Sequence, residues 1–198
     1  KGPGTDHKVG LADDHEWMGG ASMSQNGVIC NPNIPSEEVF TTPHALRVEG
    51  HVSSTKPLSH QGTLIDNIRV IFENGTITEA KATKGETVLN KVLDSDEGAR
   101  RLGEVALVPN SSPISKSGLL FYNTLFDENA ACHIALGQCY SKCFKGEKNL
   151  SASEISSRGG NSSMIHIDWM IGSGEIDIDG FGKNGDKVPI FRKGEWVD

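Results

Sequence analysis

Four acids and two imidazoles stand out in runs that are otherwise apolar or built from small residues. Glu38 lies in "NIPSEEVFTTPH", Glu104 in "RLGEVALVP", Glu128 and His133 in "FYNTLFDENAACHIALG", and His166 and Asp168 in "MIHIDWMIGS". Charged side chains in such surroundings are costly unless a partner compensates them. Oxygen-rich donors with some imidazole and no thiolate suit zinc, cobalt or manganese, and such sets can hold two ions. The common one-zinc helix signature is missing: "HEWMG" begins with His15 and Glu16 but has Gly19 where the second histidine belongs. Walker and Rossmann glycine patterns are absent as well. Each signal also has an ordinary reading. His166 and Asp168 could form the wet face of an amphipathic strand. Asp127 and Glu128 could serve a helix dipole. Glu37 and Glu38 could be helix-entry acids in a capping arrangement after Pro35 and Ser36.

The elements that must position these groups follow from periodicity. Side chains alternate across a strand, so in "MIHIDWMIGS" Ile165, Ile167 and Trp169 share one face and His166 and Asp168 the other. The alanine-rich "NAACHIALGQCY" reads as a helix, with His133 and Tyr140 seven positions apart on one face and Glu128 near its start. "DSDEGARRLGEVALVP" reads as a second helix. It is capped by Asp94 or Ser95, stopped by Pro109, and has Ala99, Leu102 and Ala106 at helical spacing. "IDNIRVIFENGTITEAKA" reads as two strands around an Asn74-Gly75 hairpin turn, a signal repeated at Asn26-Gly27 and Asn184-Gly185. "KGEKNLSASEISSRGGNSS" reads as a loop, and Met164 to Trp196 as further strands. Core packing is the expectation for Trp169 and Trp196. The fold class expected is α+β: one domain with a β-rich core and two or three helices.

Composition sets bounds on function. The chain has 198 residues, 36% hydrophobic and 23% charged, as is ordinary for a globular protein. The net charge of −7 provides no basic footprint for nucleic acid. No apolar run approaches the roughly 20 residues needed to span a bilayer, and no signal peptide is visible. Cys30, Cys132, Cys139 and Cys143 lack zinc-finger spacing and read as reduced packing residues of a cytoplasmic protein. The opening "KGPGTDHKVGL" has no initiator methionine and looks like mid-domain sequence, so the chain is expected to be a fragment of something longer.

The motifs resemble those of the thermophilic metallo-aminopeptidase family that includes aminopeptidase T, AmpS and PepS. "GPGTD", "NIPSEEVFTTPH", "VEGHV", "DEGARRLGEVALVP", "SPIS", "FYNTLFDENAACHIALG", "NSSMIHIDWMIGS" and the terminal "GEW" occur in the family's order. The likeness is to the family's C-terminal part. It implies that residues 1–198 form a single catalytic domain, without the family's N-terminal α/β domain. It further implies a cytoplasmic hydrolase that acts on peptides, forms a homodimer at full length, and uses two divalent cations (zinc, cobalt, manganese or magnesium). The metal ligands it implies are Glu38, Glu104, Glu128, His133, His166 and Asp168. Glu104 would bridge the cations, and Glu37 or Glu38, with Glu38 preferred, would accept the proton of the attacking water. Tyr140 would be the catalytic tyrosine, donating a hydrogen bond to the oxyanion. A non-catalytic module stabilised by calcium, an inactive fragment and a carboxylate-pair glycosidase are the competing readings. The two histidines fit neither the first nor the last.

Overall fold

A computed structural model of the chain describes residues 1–31, 37–146 and 149–197. The architecture is α+β and dominated by antiparallel sheet. A four-stranded sheet runs in the order Asp6–Leu11, Pro43–Ser53, Arg69–Glu73, Thr76–Lys81. A five-stranded sheet runs His166–Met170, His133–Gly137, Leu102–Leu107, Val39–Thr41, Met18–Gly19. The third sheet, near the C-terminal end, consists of Ile178–Phe181, Lys187–Arg192 and Glu195–Trp196. Four short α-helices occur among the described residues, and Glu86–Leu93 is the longest.

The two large sheets share one apolar core. Val48, Val52, Val70, Phe72 and Ile77 come from the first sheet, and Leu102, Ile134, Leu136 and Trp169 from one face of the second. Leu89 and Leu93 of the helix Glu86–Leu93 close the cluster. Burying one face of the five-stranded sheet in this way leaves its other face for chemistry. The hairpins fall where Asn-Gly marks them. Asn74 and Gly75 take φ of 50° and 79° between the strands Arg69–Glu73 and Thr76–Lys81, as a tight primed turn requires. Gly27 and Gly185 likewise have positive φ between paired strands. Trp169 is fully buried in the core, whereas Trp196 is partly exposed and packs on Phe191 at 4.4 Å between ring centroids.

Four local readings are corrected. The segment from Asp94 to Pro109 is no helix: Glu97–Arg100 makes one 3-10 turn, capped by the Asp96 side chain, and Leu102–Leu107 is a strand. The alanine-rich segment is a strand too, His133–Gly137, preceded by the 3-10 turn Glu128–Ala130. The polar stretch from Lys145 holds the helix Ala152–Ser157, begun by a capping box between Ser151 and Glu154. No helix begins at Glu37 or Glu38; these lead into the strand Val39–Thr41, and the cap assigned to Pro35 and Ser36 lies outside the described residues.

Candidate metal centre

The geometry of the site begins with a bulge. Opposite the strand His133–Gly137, Leu102 pairs with Leu136, but Glu104 pairs with Ala135, so the register slips by one residue at Gly103. Leu102 and Glu104, two apart, would otherwise share a face. The slip sends Leu102 into the core and turns Glu104 to the opposite face. Glycine is required there. A Cβ on Gly103 would sit 2.2 Å from the Gln138 carbonyl oxygen and 2.5 Å from that of Gly137.

Cross-strand pairs share a face, and the pairs on this face explain its composition. Glu104 lies opposite Ala135, which lies opposite Asp168; Phe40 lies opposite Ala106, which lies opposite His133; Gly137 lies opposite His166. Ala106, Ala135 and Gly137 form a floor of small residues between the ligating ones. The alanines that suggest a helix in the sequence leave room for the site. Glu38 enters from the residue before Val39, and Glu128 from the turn that precedes His133.

All six acid and imidazole residues singled out in the sequence meet here. Three groups have ligand atoms within 4.8 Å of one another: Glu38, Glu104 and His133; Glu104, His166 and Asp168; Glu128, His133 and Asp168. His133 Nε2 is 3.3 Å from Glu38 Oε2, and His166 Nε2 is 3.2 Å from Glu104 Oε2 and 3.4 Å from Asp168 Oδ1. Both imidazoles are oriented from behind. His133 Nδ1 donates to the Ala131 carbonyl at 3.1 Å, and His166 Nδ1 donates to the Gln138 carbonyl at 2.7 Å. This fixes the tautomer and points each Nε2 lone pair inward, as metal-binding histidines require. His166 Nε2 is buried and makes no hydrogen bond despite the two nearby carboxylates. A buried nitrogen held 3.2–3.4 Å from two carboxylate oxygens faces a position that either a proton or a metal cation could fill.

The electrostatics agree. Burial opposes a charge on His133, but the Glu38 carboxylate beside it and the charges of Asp168 and Glu104 prevail and push its pKa up to about 10. Burial likewise opposes a charge on His166, and Asp168 and Glu104 raise it to about 10. Glu128 is driven up to about 8, first by burial and then by Asp168. Glu104 is also raised, chiefly by burial. Without cations this face carries more carboxylates than it can ionise.

Tyr140 is not on a helix face with His133, as expected from the sequence. It follows the strand, at the entry to the 3-10 turn Ser141–Cys143, and its ring centroid lies 4.6 Å from that of His166. It lines a cavity of about 340 Å³ together with Glu38, Glu104, Glu128, His166 and Asp168. Burial and the charges of Glu104 and Asp168 hold its phenol well above the usual range, and thus protonated.

The sequence reading passed over several positioning residues. Asn129 Oδ1 accepts the Glu37 N–H at 3.1 Å, joining the segment of Glu38 to the turn of Glu128. Asn161 Nδ2 donates to the Gly98 and Gly137 carbonyls. Asp96 accepts from Met164 N and Ser163 Oγ, just ahead of the strand that carries His166. The available signal was a buried amide or acid inside a small-residue run; the partners are far away in the chain.

Four carboxylates and two imidazoles gathered on one side of a sheet are a donor set that could hold a cation of the kind that takes mixed oxygen and nitrogen ligands. Residues 1–196 match the family described as thermophilic metalloprotease (M29), and the chain belongs to that family. It is 56% identical over 197 residues to aminopeptidase T of Thermus aquaticus, covering 100% of this chain and 48% of that protein. It is 52% identical over 195 residues to aminopeptidase 2 of Geobacillus stearothermophilus, covering 98% of this chain and 47% of that protein. The solved structure of wild-type AmpT from Thermus thermophilus matches with a TM-score of 0.95 at 55% identity, covering 100% of this chain and 49% of that one. The chain thus spans about half the length of the curated relatives it matches.

Proposed function

We propose that this chain carries the catalytic centre of a metal-dependent aminopeptidase that releases N-terminal residues from peptides and holds two divalent cations drawn from zinc, cobalt, manganese or magnesium. The observation that carries the reading is the overlap of the three donor groups: Glu104, His133 and Asp168 each belong to two of them. Six donors shared in this way would suit two adjacent cations, and of the two carboxylates common to two groups, Glu104 and Asp168, Glu104 is the one proposed to be shared between them. Family membership and the named activities of the relatives support the same reading. Calcium as the resident ion is disfavoured by the two imidazole nitrogens within the carboxylate cluster.

When bound, divalent cations supply Lewis acidity, polarising a carbonyl and bringing the pKa of water toward ~7. The chain supplies the rest. Glu38, which lines the cavity, takes the proton of the attacking water and returns it to the leaving amine. Glu37 is not among the described residues that line the cavity, which supports Glu38 in this role. The Tyr140 phenol, kept protonated, donates a hydrogen bond to the developing oxyanion. One such donor is worth about 2.7–4 kcal/mol. The reading includes a cytoplasmic location, supported by four free cysteines, and a homodimer at full length.

The test is metal content beside activity. Titration with zinc, cobalt or manganese is expected to reach about two equivalents per chain. His166→Ala is expected to lower that content and abolish hydrolysis of aminoacyl-nitroanilides by the full-length enzyme. Full metal content and activity in the alanine variant would refute the assignment.

A further inference from the structure

Lys142 is the one lysine or arginine among the described residues that line the cavity, which also holds four carboxylates. Its Nζ lies 4.6 Å from the centroid of the Phe40 ring and 5.2 Å from that of Tyr140. No ion pair to it occurs among the described residues, although four acids line the same cavity. The two rings therefore hold a partly shielded ammonium without a carboxylate counter-ion from the described chain. Its place is set by the 3-10 turn Ser141–Cys143, anchored by the fully buried Cys143.

A free peptide carries its amine at one end and a carboxylate at the other, and the cavity has the ligand cluster at one end and an ammonium at the other. We infer that Lys142 is a specificity residue that binds the C-terminal carboxylate of short peptides, so that the cavity takes free di- and tripeptides in preference to the same peptides with blocked C-termini. The inference rests on the aminopeptidase reading above and names the substrate class of that site. The distances match. One phenol ring separates the two ends, its centroid 4.6 Å from the His166 ring and 5.2 Å from the Lys142 Nζ. These two distances put the Lys142 Nζ at most about 10 Å from the His166 ring, a length that two or three extended residues cover at roughly 3.3–3.6 Å each. With the amine end at the ligand cluster, the scissile bond falls beside Tyr140 and the free carboxylate meets Lys142. A longer substrate must carry its uncharged backbone past the same ammonium and gains no ion pair there.

The experiment compares leucyl-glycine with leucyl-glycinamide in the full-length enzyme loaded with zinc or manganese. The ratio of kcat/KM for acid over amide is expected to favour the acid, and to fall about tenfold in Lys142→Met, the size of one charge-assisted hydrogen bond. The loss should lie mainly in KM, and Lys142→Arg should restore most of the ratio. An unchanged ratio in Lys142→Met would overturn the inference. Hydrolysis of neither peptide by the unsubstituted enzyme would instead sink the aminopeptidase reading, and a second measurement then decides on Lys142 without turnover. Reductive methylation with 13C-formaldehyde labels lysines and keeps their charge. The Lys142 signal, assigned by its loss in Lys142→Met, is expected upfield because of the Phe40 and Tyr140 rings. It should move on adding leucyl-glycine and stay in place with leucyl-glycinamide. Equal responses to the two peptides would exclude carboxylate recognition.

Discussion

A single methyl group on Gly103 tests whether the bulge makes the site. In Gly103→Ala the added Cβ would lie 2.2 Å from the Gln138 oxygen, whereas ordinary contact begins at 3.4 Å, so the two backbones must part by a little over 1 Å. The same Gln138 carbonyl accepts the Nδ1 proton of His166 at 2.7 Å, and Gly103 is the neighbour of Glu104. One methyl therefore displaces two of the three members of the Glu104, His166 and Asp168 group. Metal–ligand distances tolerate about ±0.2 Å, and disturbing the groups that orient ligands costs roughly 10–100-fold in affinity. The expected result is a metal affinity lower by at least about tenfold. Overpacking of about 1–3 kcal/mol would also lower Tm, at about 2–4 °C per kcal/mol for a chain of this size. Isothermal titration with zinc measures the first, and a thermal melt of the metal-free protein the second. Gly19→Ala in the same sheet, where a Cβ meets nothing within 4 Å, is the control. If Gly103→Ala binds zinc and melts like the control, the bulge is not what aims Glu104, and the account of the site's construction is wrong.

Two further outcomes follow from the same groups. Tyr140→Phe removes the oxyanion donor and leaves all six ligands in place, so kcat should fall by roughly 10²–10³ while metal content by mass spectrometry is unchanged; full turnover would remove Tyr140 from its role. The raised pKa values give the metal-free protein a pH signature. The folded state holds protons on His133 and His166 up to about 10 and on Glu128 up to about 8, whereas the unfolded chain releases them near 6.5 and 4.5. The folded state thus binds more protons across that span, and metal-free stability should fall as pH rises from about 5 to 10. Metal must displace those protons, so zinc binding at pH 7 should release roughly two to three protons and strengthen with pH. Titrations in buffers of different ionisation enthalpy read the release directly, and binding without proton release would contradict the electrostatic picture.

The acids and imidazoles that cluster were legible in the sequence, and the elements that hold them only in part. The strand of His166 and Asp168 announces itself, because Ile167 and Trp169 face the core between them and the alternation is unbroken. Around Glu104 it is broken. The slip at Gly103 puts Leu102 and Glu104 on opposite faces, and the resulting spacing of Ala99, Leu102 and Ala106 imitates a helix. Around His133 the imitation has a different cause. Ala135 and Gly137 are small because Glu104, Asp168 and His166 converge above them, and a run of small residues then reads as helix-forming.

Both misreadings involve strands whose other face carries the cluster, where Ala106, Ala135 and Gly137 leave space between the acids and imidazoles. On the core face, where Leu136, Ile134 and Trp169 pack, residue type and position agree. A local rule that fails on one face of a sheet and holds on the other marks the face that carries the chemistry. By that criterion alone, Leu102–Leu107 and His133–Gly137 identify the site without any appeal to the histidines.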